Sequence, residues 1–79
     1  MQNSLIGLNK LKNNQTGLIV SIKPSQIEFF QELTALGITP YTFVKIIHND
    51  GRYIVFKVDR KEFAADMEIS SAVMVQTFG

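Results

Sequence analysis

The chain contains no cysteine, so neither disulfides nor thiolate metal sites can hold it together, and its stability must come from apolar packing. That absence fits a reducing compartment. It has a single histidine, His48, no glycine-rich phosphate loop, and no serine close to that histidine that would suggest a nucleophile beside its base. No catalytic activity is expected from such a set. A dominant charge is also missing. Eight basic residues oppose seven acidic ones, leaving a net charge of +1, and no global field steers the chain toward nucleic acid or an anionic membrane. The opening MQNSLIGLNKLKNN lacks the apolar core of about 7 to 15 residues that a signal sequence needs. No segment approaches the ~18 apolar residues of a membrane span. The chain reads as cytoplasmic.

What is present is a short, apolar-rich sequence of 79 residues, 46% of them hydrophobic. This is the length of one domain, residues 1–79, and such a domain buries only roughly 60 to 65% of the surface its unfolded chain exposes. Lys10, Lys12 and Lys23 precede the first acid, Glu28, while Asp59, Glu62, Asp66 and Glu68 crowd the other end. Three scattered lysines read as a solvated face rather than a phosphate track.

Turn-forming residues divide the chain into elements. Ser4 to Leu11 reads as a short strand and a loop, followed by the polar cluster Lys12 to Gly17. LIVSI, Leu18 to Ile22, is β-branched and brief, which predicts a buried strand. Ser25 and Glu28 have capping-box spacing. Phe29, Phe30, Leu33 and Leu36 then form one apolar stripe, with Gln31, Glu32 and Thr34 off it, so an amphipathic helix is predicted over Ser25 to Leu36. The two phenylalanines are read as core.

The stretch TALGITPYTFVKII stops that helix and starts a strand. Gly37 stands where a left-handed residue is wanted, Ile38 can fold back on Leu33, and Pro40 prevents the helix from resuming. YTFVKII and YIVFKV flank Asp50-Gly51, the signature of a tight hairpin in which both central residues have positive φ. A turn over Asp59 to Glu62, a short strand over Phe63 to Ala65, a helical turn over Met67 to Ala72 and a final strand over Val73 to Phe78 complete the reading. Six short strands and one inserted helix predict a mainly β protein, a small and partly open SH3-like barrel of five to six strands with the helix plugging one end.

Candidate ligands for a metal are sparse. His48 flanks the hairpin turn and reads as exposed. Asp66 and Glu68 are close together, but two carboxylates without a second histidine or further acids make a poor site. Neither a metal nor a cofactor is expected.

Leu8 and Leu11, Gly17 before LIVSI, LTALGITP, VKII, the hairpin into IVFKV and the closing VMV together resemble the FeoA family, small cytosolic partners of the bacterial ferrous-iron transporter FeoB. The resemblance spans nearly the whole chain. Its most specific piece is Leu33-x-x-Leu36-Gly37-Ile38-x-Pro40. It implies an SH3-like barrel with an inserted helix, no activity of its own, and a role in supporting FeoB through the transporter's cytosolic G-protein region. The same fold occurs as the C-terminal domain of iron-dependent repressors, and the lack of a DNA-binding helical segment ahead of this barrel favours the free-standing form. Two departures stand out. Relatives carry Pro-Gly where this chain has Pro40-Tyr41, and Asp66 falls where they have an arginine.

Three functions are therefore weighed. The resemblance implies an accessory protein that binds FeoB and modulates iron uptake. A general SH3-like protein-interaction module unrelated to iron transport would display exposed aromatics, for which Tyr41, Tyr53 and Phe78 are candidates. A nucleic-acid-binding barrel would need a basic groove with aromatic platforms, which a net charge of +1 disfavours. Loops held between rigid elements concentrate binding residues. The expected partner-binding residues are accordingly Leu36, Gly37, Ile38, Thr39 and Tyr41.

Overall fold

β-branched and aromatic side chains spaced two apart build most of the six strands, which the structure, a computed structural model, joins in one sheet. Residues 3–23, 27–35 and 38–78 are described. The elements are β1 (Asn3–Gly7), a 3-10 turn (Leu8–Lys10), β2 (Thr16–Ile22), α1 (Ile27–Ala35), β3 (Phe43–Asn49), β4 (Tyr53–Val58), β5 (Lys61–Asp66), α2 (Met67–Ser71) and β6 (Val73–Phe78). The strand order is β1-β6-β2-β3-β4-β5, and every neighbouring pair is antiparallel.

The fold is mainly β, as the sequence predicts, and its sheet is open. No ladder joins β1 to β5 among the described residues. Instead the 3-10 turn that follows β1 and the helix α2 that follows β5 contact each other. This agrees with the partly open form expected, the two ends of the sheet being linked by contact between two short helical segments. The predicted cap Ser25 and the helix end at Leu36 and Gly37 lie outside the described residues, as do the side chains of Phe29 and Phe30. Of the predicted stripe on α1, Leu33 is seen, and it is buried in the core. Glu28, Gln31, Glu32 and Thr34 are exposed.

One face of the sheet makes the core. Val44 and Ile46 of β3, Ile54, Phe56 and Val58 of β4, and Val73 and Val75 of β6 are buried there with Leu8, Leu11 and Ile38. Phe56 stacks on Phe63 with ring centroids 5.6 Å apart, and burying a side chain of that size contributes about 1.5 to 3 kcal/mol. The prediction of a wholly buried β2 is corrected. Gly17, Ile19 and Ile22 are buried, Leu18 and Val20 are half-buried, and Ser21 is exposed, because this strand lies in a sheet with only one face on the core. Gly17 is closely surrounded where it stands. A Cβ there would lie 3.3 Å from Cβ of Val75 and 3.4 Å from Cδ1 of Leu11.

Two bulges reset the inside and outside positions. The register shifts between Ile19 and Ser21, which brings Ile22 inward. It shifts again between Ile46 and His48, so Ile47 is the extra residue and Asn49 joins the core side instead of facing out with Phe43 and Lys45. There the Asn49 side-chain amide donates to the carbonyls of Leu11 (2.7 Å) and Asn9 (3.1 Å), while its Oδ1 accepts from Gly51 N–H (3.1 Å). One side chain thus fastens the loop after β1 to the β3–β4 hairpin.

The hairpin itself differs from the predicted turn. Asn49 pairs with Ile54 and Asp50 N–H donates to Tyr53 O, so the two central residues are Gly51 and Arg52. Gly51 has φ 88°, while Asp50 is not among the residues with positive φ. Asp50 acts from the turn's first corner. Its Oδ1 accepts from the backbone N–H groups of Arg52 (2.8 Å) and Tyr53 (2.9 Å). The bonds from Tyr53 and then Arg52 hold its carboxyl below the ordinary 3.8. The stabilisation is complete above that ordinary value and is lost as pH falls through the depressed one. In the β4–β5 hairpin the turn is Asp59-Arg60, with Asp59 at φ 56°, and β5 is longer at both ends than predicted.

Asn49→Ala removes two donors from carbonyls and a partner from Gly51. The expected loss is about 1 to 3 kcal/mol, read as a lower urea midpoint at unchanged slope. Asn49→Asp, which cannot donate to those carbonyls, should be at least as harmful. A midpoint within error of the parent chain for Asn49→Ala would contradict the clamp.

Candidate functional site

The junction between α1 and β3 is built from backbone bonds. Ile38 N–H donates to Leu33 O at 2.8 Å, the long bond that ends a helix in a Schellman motif when Ile38 is the second residue past the cap. Leu33 and Ile38 are both buried in the same core cluster, as suits the apolar positions of this motif. The expectation that Ile38 lies at the surface is corrected. At 1% exposure it anchors the loop and has no area to offer a partner. Thr39 and Tyr41 are exposed, and Leu36 and Gly37 are outside the described residues.

Tyr41 has φ 69°. A bulky residue is rare in that region, and the strain costs about 1 to 2 kcal/mol. Its backbone is held there from β2. Tyr41 N–H donates to Ile19 O (2.6 Å), and Ile19 N–H donates to Thr42 O (2.9 Å). Both main-chain groups of Ile19 are engaged by the turn, and the tyrosine side chain projects to solvent, 77% exposed.

From Tyr41 an apolar band crosses the outer face of the sheet. Phe43 pairs with Leu18, Leu18 with Gln76, and Gln76 with Leu5, so these four side chains form one row over four strands. Phe43, Leu5 and Phe78 are more than half exposed. Beside the row, Tyr41, Thr42, Phe43, Lys45, Lys57 and Asp59 line an open groove of about 570 Å³. Lys45 and Lys57 are directly opposite across β3 and β4.

The other residues considered from sequence are dispersed. His48 Nε2 is 3.9 Å from Asp50 Oδ2 at the hairpin end. Tyr53 is exposed on β4 opposite Asp66. Asp66 caps α2, accepting from Ile69 N–H at 2.8 Å, and its carbonyl accepts from the buried Ser70 hydroxyl at 2.7 Å. The bond from Ile69 needs a side-chain acceptor, so the acid has a local structural use. Among the described residues no group of three or more histidine or carboxylate side chains is placed to hold a metal ion.

Sequence reasoning missed Phe43, Leu18, Lys45 and Lys57. The signal was available in the period-two alternation of FVKI: once Val44 and Ile46 are assigned to the core, Phe43 and Lys45 must face out.

The six-stranded antiparallel sheet and the inserted helix define an SH3-like domain. A family model for the FeoA domain matches residues 6–77, and the chain belongs to that family. Solved structures share the fold at low identity. A crystal structure of an iron uptake regulatory protein (FeoA) superposes with a TM-score of 0.84 at 21% identity, covering 95% of this chain and 100% of the other. An FeoA-like protein from Clostridium acetobutylicum gives 0.81 at 17%, covering 100% and 92%. A manganese-dependent transcriptional repressor in complex with manganese gives 0.85 at 13%, covering 94% of this chain and 37% of the repressor. No curated protein sequence matches the chain.

Replacing Tyr41 by glycine should relieve the positive φ. After allowing for the greater freedom of glycine in the unfolded chain, a gain of about 0.5 to 1 kcal/mol is expected. A higher denaturation midpoint for Tyr41→Gly is the check. A large loss would mean that the tyrosine ring holds the turn.

Proposed function

We propose that this chain is a non-catalytic accessory protein of ferrous iron transport, working on the cytoplasmic side of the membrane by binding a FeoB-type transporter at its G-protein region. Membership of the FeoA family supports the iron-transport setting. No described helix is long and apolar enough to cross a membrane, so on this reading the chain reaches the transporter by docking. The observation that carries the docking role is Tyr41, held at φ 69° by the main chain of β2 with its ring in solvent.

The strain at Tyr41 is a cost to folding that glycine would remove, and a large amphipathic ring at a rigid loop tip is the type of residue that dominates binding energy. Thr39 and the outward row through Phe43 and Leu18 extend the surface around it. Neither a metal nor a cofactor enters this role, since the docking surface acts by shape, apolar area and charge.

Tyr41→Ala keeps a β-carbon in the same backbone region, so its denaturation midpoint should change little. Binding to the isolated cytosolic part of the cognate transporter should weaken by about tenfold or more, the usual consequence of truncating an aromatic anchor. A folded variant that binds as tightly as the parent chain would remove Tyr41 from the interface. Absence of any binding by the parent chain would favour an interaction module with another partner.

A further inference from the structure

The groove beside Tyr41 has a charge pattern that docking alone does not explain. Lys45 and Lys57 are cross-strand partners on the outer face, so their Cβ atoms are ~5 Å apart, and like charges in that relation destabilise a sheet. On its other side Lys45 faces Thr16, which offers no charge. Lys57 has Glu62 as its other neighbour, and Asp59 lines the groove mouth. Neither carboxylate pairs with either lysine: among the described residues the one ion pair is His48 with Asp50. Two ammonium groups without a close ion-pair partner, Lys57 with Glu62 across the strand and Lys45 with no acid beside it, thus stand next to two exposed aromatic rings, Tyr41 and Phe43.

We propose that this groove takes a short acidic segment of the partner protein, its carboxylates set between Lys45 and Lys57 and a neighbouring apolar side chain laid on Phe43 and Tyr41. This rests on the docking role above and adds the chemistry of what is docked. A carboxylate bridging the two lysines removes their repulsion, so bound and free states differ by more than the new contacts. A polyanion suits the groove less well. Asp59 and Glu62 lie on the Lys57 side of the pair and would repel a phosphate backbone extending past it, whereas one or two carboxylates can sit toward Lys45, whose other neighbour, Thr16, is uncharged.

The test uses the full chain, labelled with ¹⁵N and titrated with a synthetic peptide of alternating glutamate and leucine, with a lysine–leucine peptide as control. Saturable shifts at Thr16, Phe43, Lys45 and Lys57, reduced by raising ionic strength from about 0.05 to about 0.5 M, are expected with the acidic peptide alone. K45E/K57E should weaken that binding by about tenfold or more, and should weaken binding to the transporter's cytosolic part likewise. K45Q/K57Q provides a milder variant whose fold is safer, with a smaller loss in the same direction. Acidic-peptide binding in the groove by a chain that does not bind the transporter would support this inference while retiring the transporter as partner. Transporter binding unchanged in both double variants would overturn it and leave the docking role standing. Shifts absent or confined to other strands, equal response to the lysine–leucine peptide, retention on heparin that the double variants abolish, or shifts at these residues that grow with protein concentration alone would each overturn it, the last two assigning the groove to a polyanion or to a second copy.

Discussion

Two backbone hydrogen bonds, from Tyr41 to Ile19 and from Ile19 to Thr42, determine where β3 begins. They join the end of the inserted helix segment to the middle of β2, and the ladder then continues through Leu18 opposite Phe43 and Thr16 opposite Lys45. Because the side-chain period of a strand is two, a slip of one residue here would turn Val44 and Ile46 to solvent and Phe43 and Lys45 into the core. The same bonds hold Tyr41 at positive φ. Register, core and exposed surface are therefore consequences of one junction.

The two faces of the sheet are handled differently along the same strands. The inner face is closed and apolar, and the described buried polar side-chain atoms all have partners. On the outer face, Leu5, Leu18 and Phe43 form a row broken only by Gln76, with the lysine pair on the adjoining row. Exposed apolar groups in a contiguous band contribute little to a monomer's stability and favour association. The bulge at Ile47 adds a further division. It places Asn49 on the inner side, where an amide that would have been solvated instead ties two distant loops together.

Asp66 and Tyr41 each have a physical reading at their own positions. Asp66 supplies the acceptor that starts α2, and the Ser70 hydroxyl beneath it is satisfied by the Asp66 carbonyl, so the acid and the serine together secure the helix that contacts the turn after β1. Tyr41 has the opposite balance. It accepts backbone strain without burying its ring, and this contrast is why the tyrosine, rather than the aspartate, is the residue to which a binding role is assigned.

The elements themselves were legible in the sequence, because turn residues, caps and β-branched runs act over a few positions and need no tertiary partner. β6 was read to its true ends and α2 nearly so, while the Leu33–Ile38 contact followed from helix-stop chemistry alone. The tight turn was misplaced by one residue: Asp50 and Gly51 suit positive φ together, yet the Asn49–Ile54 register leaves Gly51 and Arg52 as the central pair. Of the candidate site, Tyr41 and Thr39 could be named from local loop chemistry, whereas Ile38 was grouped with them as a loop residue although helix-stop chemistry already pointed it toward Leu33, and it is buried. Lys45 and Lys57 could not be paired from the sequence at all. Twelve positions separate them in the chain, and their juxtaposition depends on the β3–β4 register, which the bulge at Ile47 shifts. Short-range stereochemistry determined where this chain turns and which segments extend. Only the tertiary structure decided which side chains share a face, since that depends on strand register and bulges, set by long-range hydrogen bonds such as those at Ile19.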